Sequence, residues 1–142
     1  MADLIRLLTR AHKLLRAAAD EAMSAHGVRI GQNLVLEVLW DRDGLSPGEL
    51  AARLNVTTPT VVNTATRLVN DGLIERRPDP SDRRLVRLYL TEKARAAQAP
   101  ITEARRNLAD HALATLTEEE REVMAVALQK IIDRMQSPPT PT

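Results

Sequence analysis

Arg83 and Arg84 follow a turn-rich run, Pro78-Asp79-Pro80-Ser81-Asp82, which puts two guanidiniums at the tip of a polar loop. Guanidiniums presented this way suit phosphate or a narrow groove of a nucleic acid rather than bond-making chemistry. Just upstream, in residues 57–71, Val61, Ala65 and Leu68 are spaced to face inward on a helix, which leaves its opposite side free. Catalytic constellations do not appear. The three histidines, His12, His26 and His111, lack metal-ligand spacing, and no Gly-rich phosphate loop or nucleophile elbow is found. Glu118, Glu119, Glu120 and Glu122 form the single carboxylate cluster, in a helix's first turn, where acidic groups favour the macrodipole. With no Cys, disulfides, thiolate metal sites and thiol redox sensing are excluded together. The expectation is no catalytic residue, no metal and no cofactor.

Net charge is +1, yet charge is unevenly placed. Residues 76–87 hold five Arg against Asp79 and Asp82, a surplus of three positive charges that a dimer would present twice. A length of 142 residues suits one domain, or one domain extended by an oligomerisation arm. Charged residues at 27% and hydrophobic ones at 44% fit a globular chain, and no 18-residue apolar run offers a membrane span. The amphipathic start lacks a compact apolar stretch with a small-residue cleavage site, so no secretory signal is read, and a cytoplasmic protein without a membrane partner is expected. Aromatic residues make up 1%: Trp40, Tyr89 and no Phe. A core of Leu, Val, Ile and Ala is expected, which favours packed helices.

These residues need elements to hold them. Leu4, Leu7, Leu8, Ala11, Leu14, Leu15, Ala18, Ala22 and Met23 recur at three- and four-residue steps, predicting a helix over 3–25 that ends at His26-Gly27. A second helix is predicted over 30–40. Ser46-Pro47-Gly48-Glu49 combines a cap, a proline for the first turn and a capping-box glutamate, opening a short helix over 47–54 that ends at Asn55. Thr58 is expected to cap the next helix, with Pro59 in its first turn and Asp71-Gly72 at its end. Leu73–Arg77 and Leu85–Leu90 read as a two-stranded hairpin. Helix resumes over 92–114, with a kink or break at Pro100, and Thr117 to Glu120 form a second capping box for a last helix carrying Val123, Met124, Ala127, Leu128, Ile131, Ile132 and Met135. The Pro-rich end, 137–142, is expected to be a disordered tail.

A short helix, a three-residue turn and a capped helix match a helix-turn-helix, whose second helix enters the DNA major groove. By itself that pattern equally describes an ordinary helical corner, and the basic loop by itself a solvated turn. Their adjacency favours a winged helix, with the hairpin reaching phosphates or the neighbouring minor groove.

The stretch from Leu45 to Ala94 resembles the MarR family of bacterial winged helix-turn-helix regulators. The resemblance rests on Gly72-Leu73-Ile74-Glu75-Arg76, on Asp79-Pro80-Ser81-Asp82-Arg83-Arg84 and on Leu90-Thr91, with Gln32 and its Leu-rich helix also similar. It implies a mainly α fold with a small β-hairpin wing, a winged helix-turn-helix domain over 30–91 flanked by dimerisation helices over 1–29 and 92–136. It further implies a homodimer on a pseudo-palindromic double-stranded DNA site, repression as the usual mode, and in many members release by a small-molecule effector. Leu4, Leu7, Leu8, Met124, Leu128, Ile131, Ile132 and Met135 are the residues expected in the dimer core.

Carried onto this chain, the resemblance assigns DNA contact to Thr57, Thr58, Pro59, Thr60, Val62, Asn63 and Arg67 on the reading helix. In the wing it assigns Arg84 to the minor groove and Arg83 to phosphate, with Asp82 orienting the wing. Where family members often carry Thr-Arg, this chain has Val62-Asn63. Asn pairs bidentately with adenine and Val packs on a thymine methyl, so half-sites with more A·T contacts are expected. Ala94 stands where Gly is usual. By position, an effector would meet Leu8, His12, Leu15, Leu36 and Trp40. The competing reading is a winged-helix protein–protein assembly module with only weak, non-specific DNA affinity.

Overall fold

The computed structural model describes residues 3–137 and 139. Most of the expected tail, Pro138 and residues 140–142, lies outside the described residues. The element order is α1 (Leu4–Ser24), α2 (Gln32–Asp41), α3 (Pro47–Leu54), α4 (Thr58–Asn70), β1 (Ile74–Pro78), β2 (Val86–Leu90), α5 (Glu92–Leu113) and α6 (Glu118–Gln136). Contacts divide the chain into two compact units, one ending at Leu108 and the other beginning at Ala109.

In the first unit, α2, α3 and α4 pack on one another and on the hairpin. Leu36, Leu39, Leu50, Leu68, Leu73 and Leu88 meet there with no exposed surface. The aliphatic core anticipated from composition is therefore present, and truncating one of these leucines to Ala would cost about 2–5 kcal/mol. α1 contributes chiefly Met23, at its C-terminal end. Met23 is also the turning point of the chain: its carbonyl accepts from His26 N–H (2.9 Å) and Val28 N–H (3.2 Å), with Gly27 between them at φ +78°. The leucines farther up α1 are exposed, Leu4 at 72% and Leu14 at 62%.

β1 and β2 pair antiparallel from Ile74↔Leu90 to Pro78↔Val86. Pro78 brings no N–H to a ladder and sits at the strand end, where that loss is tolerated. The other edge of β2 is covered. Leu45 bridges Leu88, with Leu88 N–H donating to the Leu45 carbonyl at 2.9 Å, and the Asp43 carboxylate accepts from Leu90 N–H at 2.9 Å.

Two local expectations need correction. Thr57, not Thr58, caps α4: its hydroxyl accepts from Thr60 N–H (3.3 Å), because only a residue still in extended backbone, here φ −78° and ψ 152°, can aim its side chain at that amide. Ser46 caps α3 as expected, accepting from Glu49 N–H at 3.2 Å; hydrogen bonding with Ser46 also lowers the Glu49 carboxyl, which in addition takes a bond from Arg87 Nη1 (3.2 Å), a partner 38 residues away that the local pattern does not contain. Of the kink or break expected at Pro100, there is no break: α5 runs through it. Proline has no N–H to give the carbonyl of Ala96, one turn earlier, a residue on the exposed side of the helix.

In the second unit, α6 opens on the predicted capping box. Glu120 N–H donates to the Thr117 hydroxyl (3.1 Å) and Thr117 N–H to the Glu120 carboxylate (3.0 Å). No residue of α6 is buried; Val123, Met124, Val126, Ile131, Ile132 and Met135 are all exposed.

Candidate nucleic-acid interface

α4 is sharply two-sided. Val61, Ala65 and Leu68 are buried, at 1% exposure or less, while Thr57, Thr58, Pro59, Thr60, Val62, Asn63 and Arg67 are all exposed. Three-and-four spacing turns the first set to the core and leaves the second free to meet a groove. Two of the threonines are engaged in capping, with Thr57 Oγ1 and Thr60 Oγ1 2.8 Å apart. Asn63 makes no side-chain hydrogen bond among the described residues, so both its amide donors and its carbonyl are available. Arg67 lies at the edge of the reading face and, with Thr64, Asp20, Arg29 and Gln32, lines a small polar cavity of about 270 Å³.

A residue of this face that the spacing argument passed over is Thr66. It sits one turn beyond Val62, is exposed, and accepts from Arg76 Nη2 at 2.9 Å. β1 is thereby tied to the reading helix. The signal was present, since Thr66 has the periodicity of its neighbours, but a bond to a strand ten residues away has no local signature.

The wing loop is built around Asp79, whose side chain is nearly enclosed. Its Oδ2 accepts from Ser81 N–H (3.1 Å), Ser81 Oγ (2.7 Å) and Asp82 N–H (2.9 Å), and its Oδ1 accepts from Arg87 Nε (2.7 Å). The Arg87 guanidinium, then the Ser81 hydroxyl, hold the Asp79 carboxyl down to about 2. Asp82 orients the next residues through the backbone, its Oδ1 accepting from Arg84 N–H at 3.0 Å.

The basic surplus of residues 76–87 is therefore unequal in kind. Arg87 is bound to Asp79 and Glu49, Arg77 pairs with Glu75 and lies 4.7 Å from the centre of the Tyr89 ring, and Arg76 reaches Thr66. Arg83 and Arg84, both exposed, have no ion-pair partner among the described residues. Arg76 also lacks an ion-pair partner among the described residues, its bond being to an uncharged hydroxyl, so two of the three uncompensated charges stand at the tip.

The five residues expected at an effector are not alike either. Leu8 (36%), His12 and Leu15 (45%) are exposed along α1. Trp40 is half-buried and donates from Nε1 to the Ala94 carbonyl at 3.0 Å, as a core residue does. Leu36 is a correction: wholly enclosed between helices, it has no surface to offer a ligand. Among the described residues no group of three or more His, Asp or Glu could hold a metal ion, and no helix is long and apolar enough to cross a membrane.

A helix-turn-helix whose exposed face stands beside a hairpin with free arginines at its tip defines a winged helix-turn-helix regulator. Residues 29–86 match the MarR family. The chain is 30% identical over 120 residues to the transcriptional repressor MdtR of Bacillus subtilis, covering 84% of this chain and 77% of that one. It is 26% identical over 136 residues to the regulator YsmB of the same organism, covering 95% and 92%. Among solved structures it is similar to a mutant of MarR from E. coli complexed with operator DNA, with a TM-score of 0.79, 26% identity and coverage of 90% and 92%. The fold is also that of the transcriptional regulator SlyA, with a TM-score of 0.79 at 23% identity and 94% of each chain covered. The chain belongs to the MarR family. It is thus a DNA-binding transcriptional regulator in kind, and not an enzyme.

Proposed function

We propose that this protein is a cytoplasmic, homodimeric repressor that binds a pseudo-palindromic operator and blocks transcription by occupying it. The observation that carries this reading is the pairing of an unobstructed α4 face with two unpaired arginines at the wing tip. On that reading Thr57, Thr58, Pro59, Thr60, Val62, Asn63 and Arg67 meet the major groove, Arg84 enters the minor groove, Arg83 meets phosphate and Asp82 holds the tip in shape. Repression accords with the name of MdtR, and operator binding with the DNA complex of E. coli MarR. Residues 30–91 form the DNA-binding domain, and the flanking segments 1–29 and 92–136 supply the dimer contacts. Support for the dimer is the exposed apolar side of α1, with Leu4, Ile5, Leu7 and Leu8, and separately that of α6. An effector, if it binds along α1, meets Leu8, His12 and Leu15.

The deciding experiment is a gel shift on the DNA flanking the gene for this chain, with competitor, at two salt concentrations. Retention of one fragment against competitor, with a steep salt dependence, supports the reading. Sequence-blind retention that vanishes at the higher salt overturns it in favour of an assembly module.

A further inference from the structure

The Arg87 cluster ties together parts of the chain that the family resemblance treats separately. Its guanidinium donates from Nε to Asp79 in the wing loop (2.7 Å) and from Nη1 to the Gly44 carbonyl (2.9 Å) and the Glu49 carboxylate (3.2 Å), at the entrance to α3. One positive group faces two negative ones, so the cluster offers DNA no attractive charge. What it supplies is geometry. A planar fork spans three acceptors in fixed directions, and one of them, Asp79, shapes the loop by accepting from the Ser81 and Asp82 amides. The Asp79 side chain is 10% exposed and Arg87's 27%, so water competes weakly for these bonds.

We propose that Arg87 is a positioning residue for DNA binding, which fixes the wing loop to the start of α3 through Asp79 and so sets where Arg83 and Arg84 are presented. The proposal rests on the wing reading above and deepens it. The hairpin survives without the tie, because Asp79 N–H still donates to the Leu85 carbonyl (2.8 Å) and Leu85 N–H to the Asp82 carbonyl (3.0 Å). The loop loses its anchorage to the entrance of α3, leaving two long cations on a loop held only through the hairpin itself. Their contact with DNA then requires ordering that the anchored loop has already undergone.

The test uses the full chain and a duplex selected in vitro by the wild-type protein. Affinities are measured for Arg87→Ala, Arg87→Lys, the Arg83→Ala/Arg84→Ala pair, and that pair combined with Arg87→Ala. Arg87→Ala is expected to weaken binding roughly tenfold, the size of a lost groove contact. Arg87→Lys should do the same, since an ammonium cannot span the three acceptors. Added to the wing pair, Arg87→Ala should cause no further loss beyond about twofold, because the groups it positions are gone. Hydrogen exchange at the Ser81 and Asp82 amides should quicken in Arg87→Ala while the α4 amides stay unchanged. If Arg87→Ala does not fold, Asp79→Asn serves in its place, with the same non-additive loss expected.

Full affinity in Arg87→Lys identifies a direct phosphate contact and overturns the proposal. So does an additive loss in the combined variant, or an unchanged Arg87→Ala beside a weakened wing pair. If the wing pair itself binds like wild type, the wing reading fails and takes this proposal with it. That outcome is distinct from failure of the positioning role alone.

Discussion

Gln32 Nε2 donates to Asp71 Oδ2 at 2.7 Å, so a buried amide at the start of α2 holds the carboxylate that ends α4. The same side chain accepts from Arg29 N–H through Oε1 (2.9 Å). One residue thus satisfies a loop amide and sets the far end of the reading helix. Gln32→Ala is expected to lower the unfolding free energy by about 1–3 kcal/mol in urea denaturation, since it leaves the Arg29 amide without its partner. Gln32→Glu should be no milder, because two carboxylates would then face each other.

Gly44 stands at φ +77°, and a Cβ there would lie 2.8 Å from Tyr89 Cε1. The half-buried ring, with Arg77 4.7 Å from its centre, must shift to make way. Gly44→Ala should destabilise by about 1–3 kcal/mol from backbone strain and the clash together. Tyr89→Ala in the same chain should remove the steric share, which thermal melts of the two single variants and the double variant will separate.

The Asp79 titration gives a pH signature. Its carboxyl is held at about 2, below the ordinary value of about 3.9. Because the folded state lowers it, the stability it contributes is fully present above pH ~4 and is lost as pH falls towards 2. NMR titration of the Asp79 side-chain carbonyl should show a midpoint near 2 in wild type and one shifted towards about 4 in Arg87→Ala. A wild-type midpoint at the ordinary carboxylate value would contradict the bond to Arg87.

Asn63 is free to pair with adenine, and Val62, 42% exposed, to pack on a thymine methyl. In vitro selection should return A·T pairs at the positions they read, and Asn63→Ala should relax the preference there by about 1–3 kcal/mol. Selection that returns G at those positions, indifferent to Asn63→Ala, would refute the assignment.

The exposed apolar sides of α1 and α6 give a direct test of assembly. Leu7→Glu and Ile132→Glu, at positions 55% and 49% exposed in the single chain, should leave the winged unit folded by circular dichroism. Sedimentation equilibrium should find the wild type as a dimer and each variant shifted to monomer, with operator affinity falling by a factor of about 100 or more as the second half-site is lost. A monomeric wild type would end the dimer proposal.

Much of the fold was legible because its signals are local. Three-and-four periodicity sorted Val61, Ala65 and Leu68, all buried, from Val62 and Asn63, both exposed, although Val69, of the same inward set, is only half-buried. Thr117 and Glu120 announced their capping box because both partners lie within one turn. Sequence and structure part where a competing partner is distant. Glu49 has the spacing of a capping box and bonds with Ser46, yet its carboxylate also holds Arg87, 38 residues on, which no local pattern contains. Leu36 shares a helix side with Trp40, but helix packing encloses it wholly, and no periodicity separates a half-buried stripe from a sealed one.

The charge of residues 76–87 marks the same divide. The sequence by itself determined a surplus of three positive charges on a hairpin and, through its composition, an aliphatic core and a chain without thiol chemistry. Only the tertiary structure decided which arginines are free. Arg87 is neutralised by Asp79 and Glu49, Arg76 and Arg77 are engaged, and Arg83 and Arg84 remain. The reason is physical: periodicity and capping act over one or two turns, whereas an ion pair depends on which loops the packing of α2, α3 and α4 brings within about 3 Å.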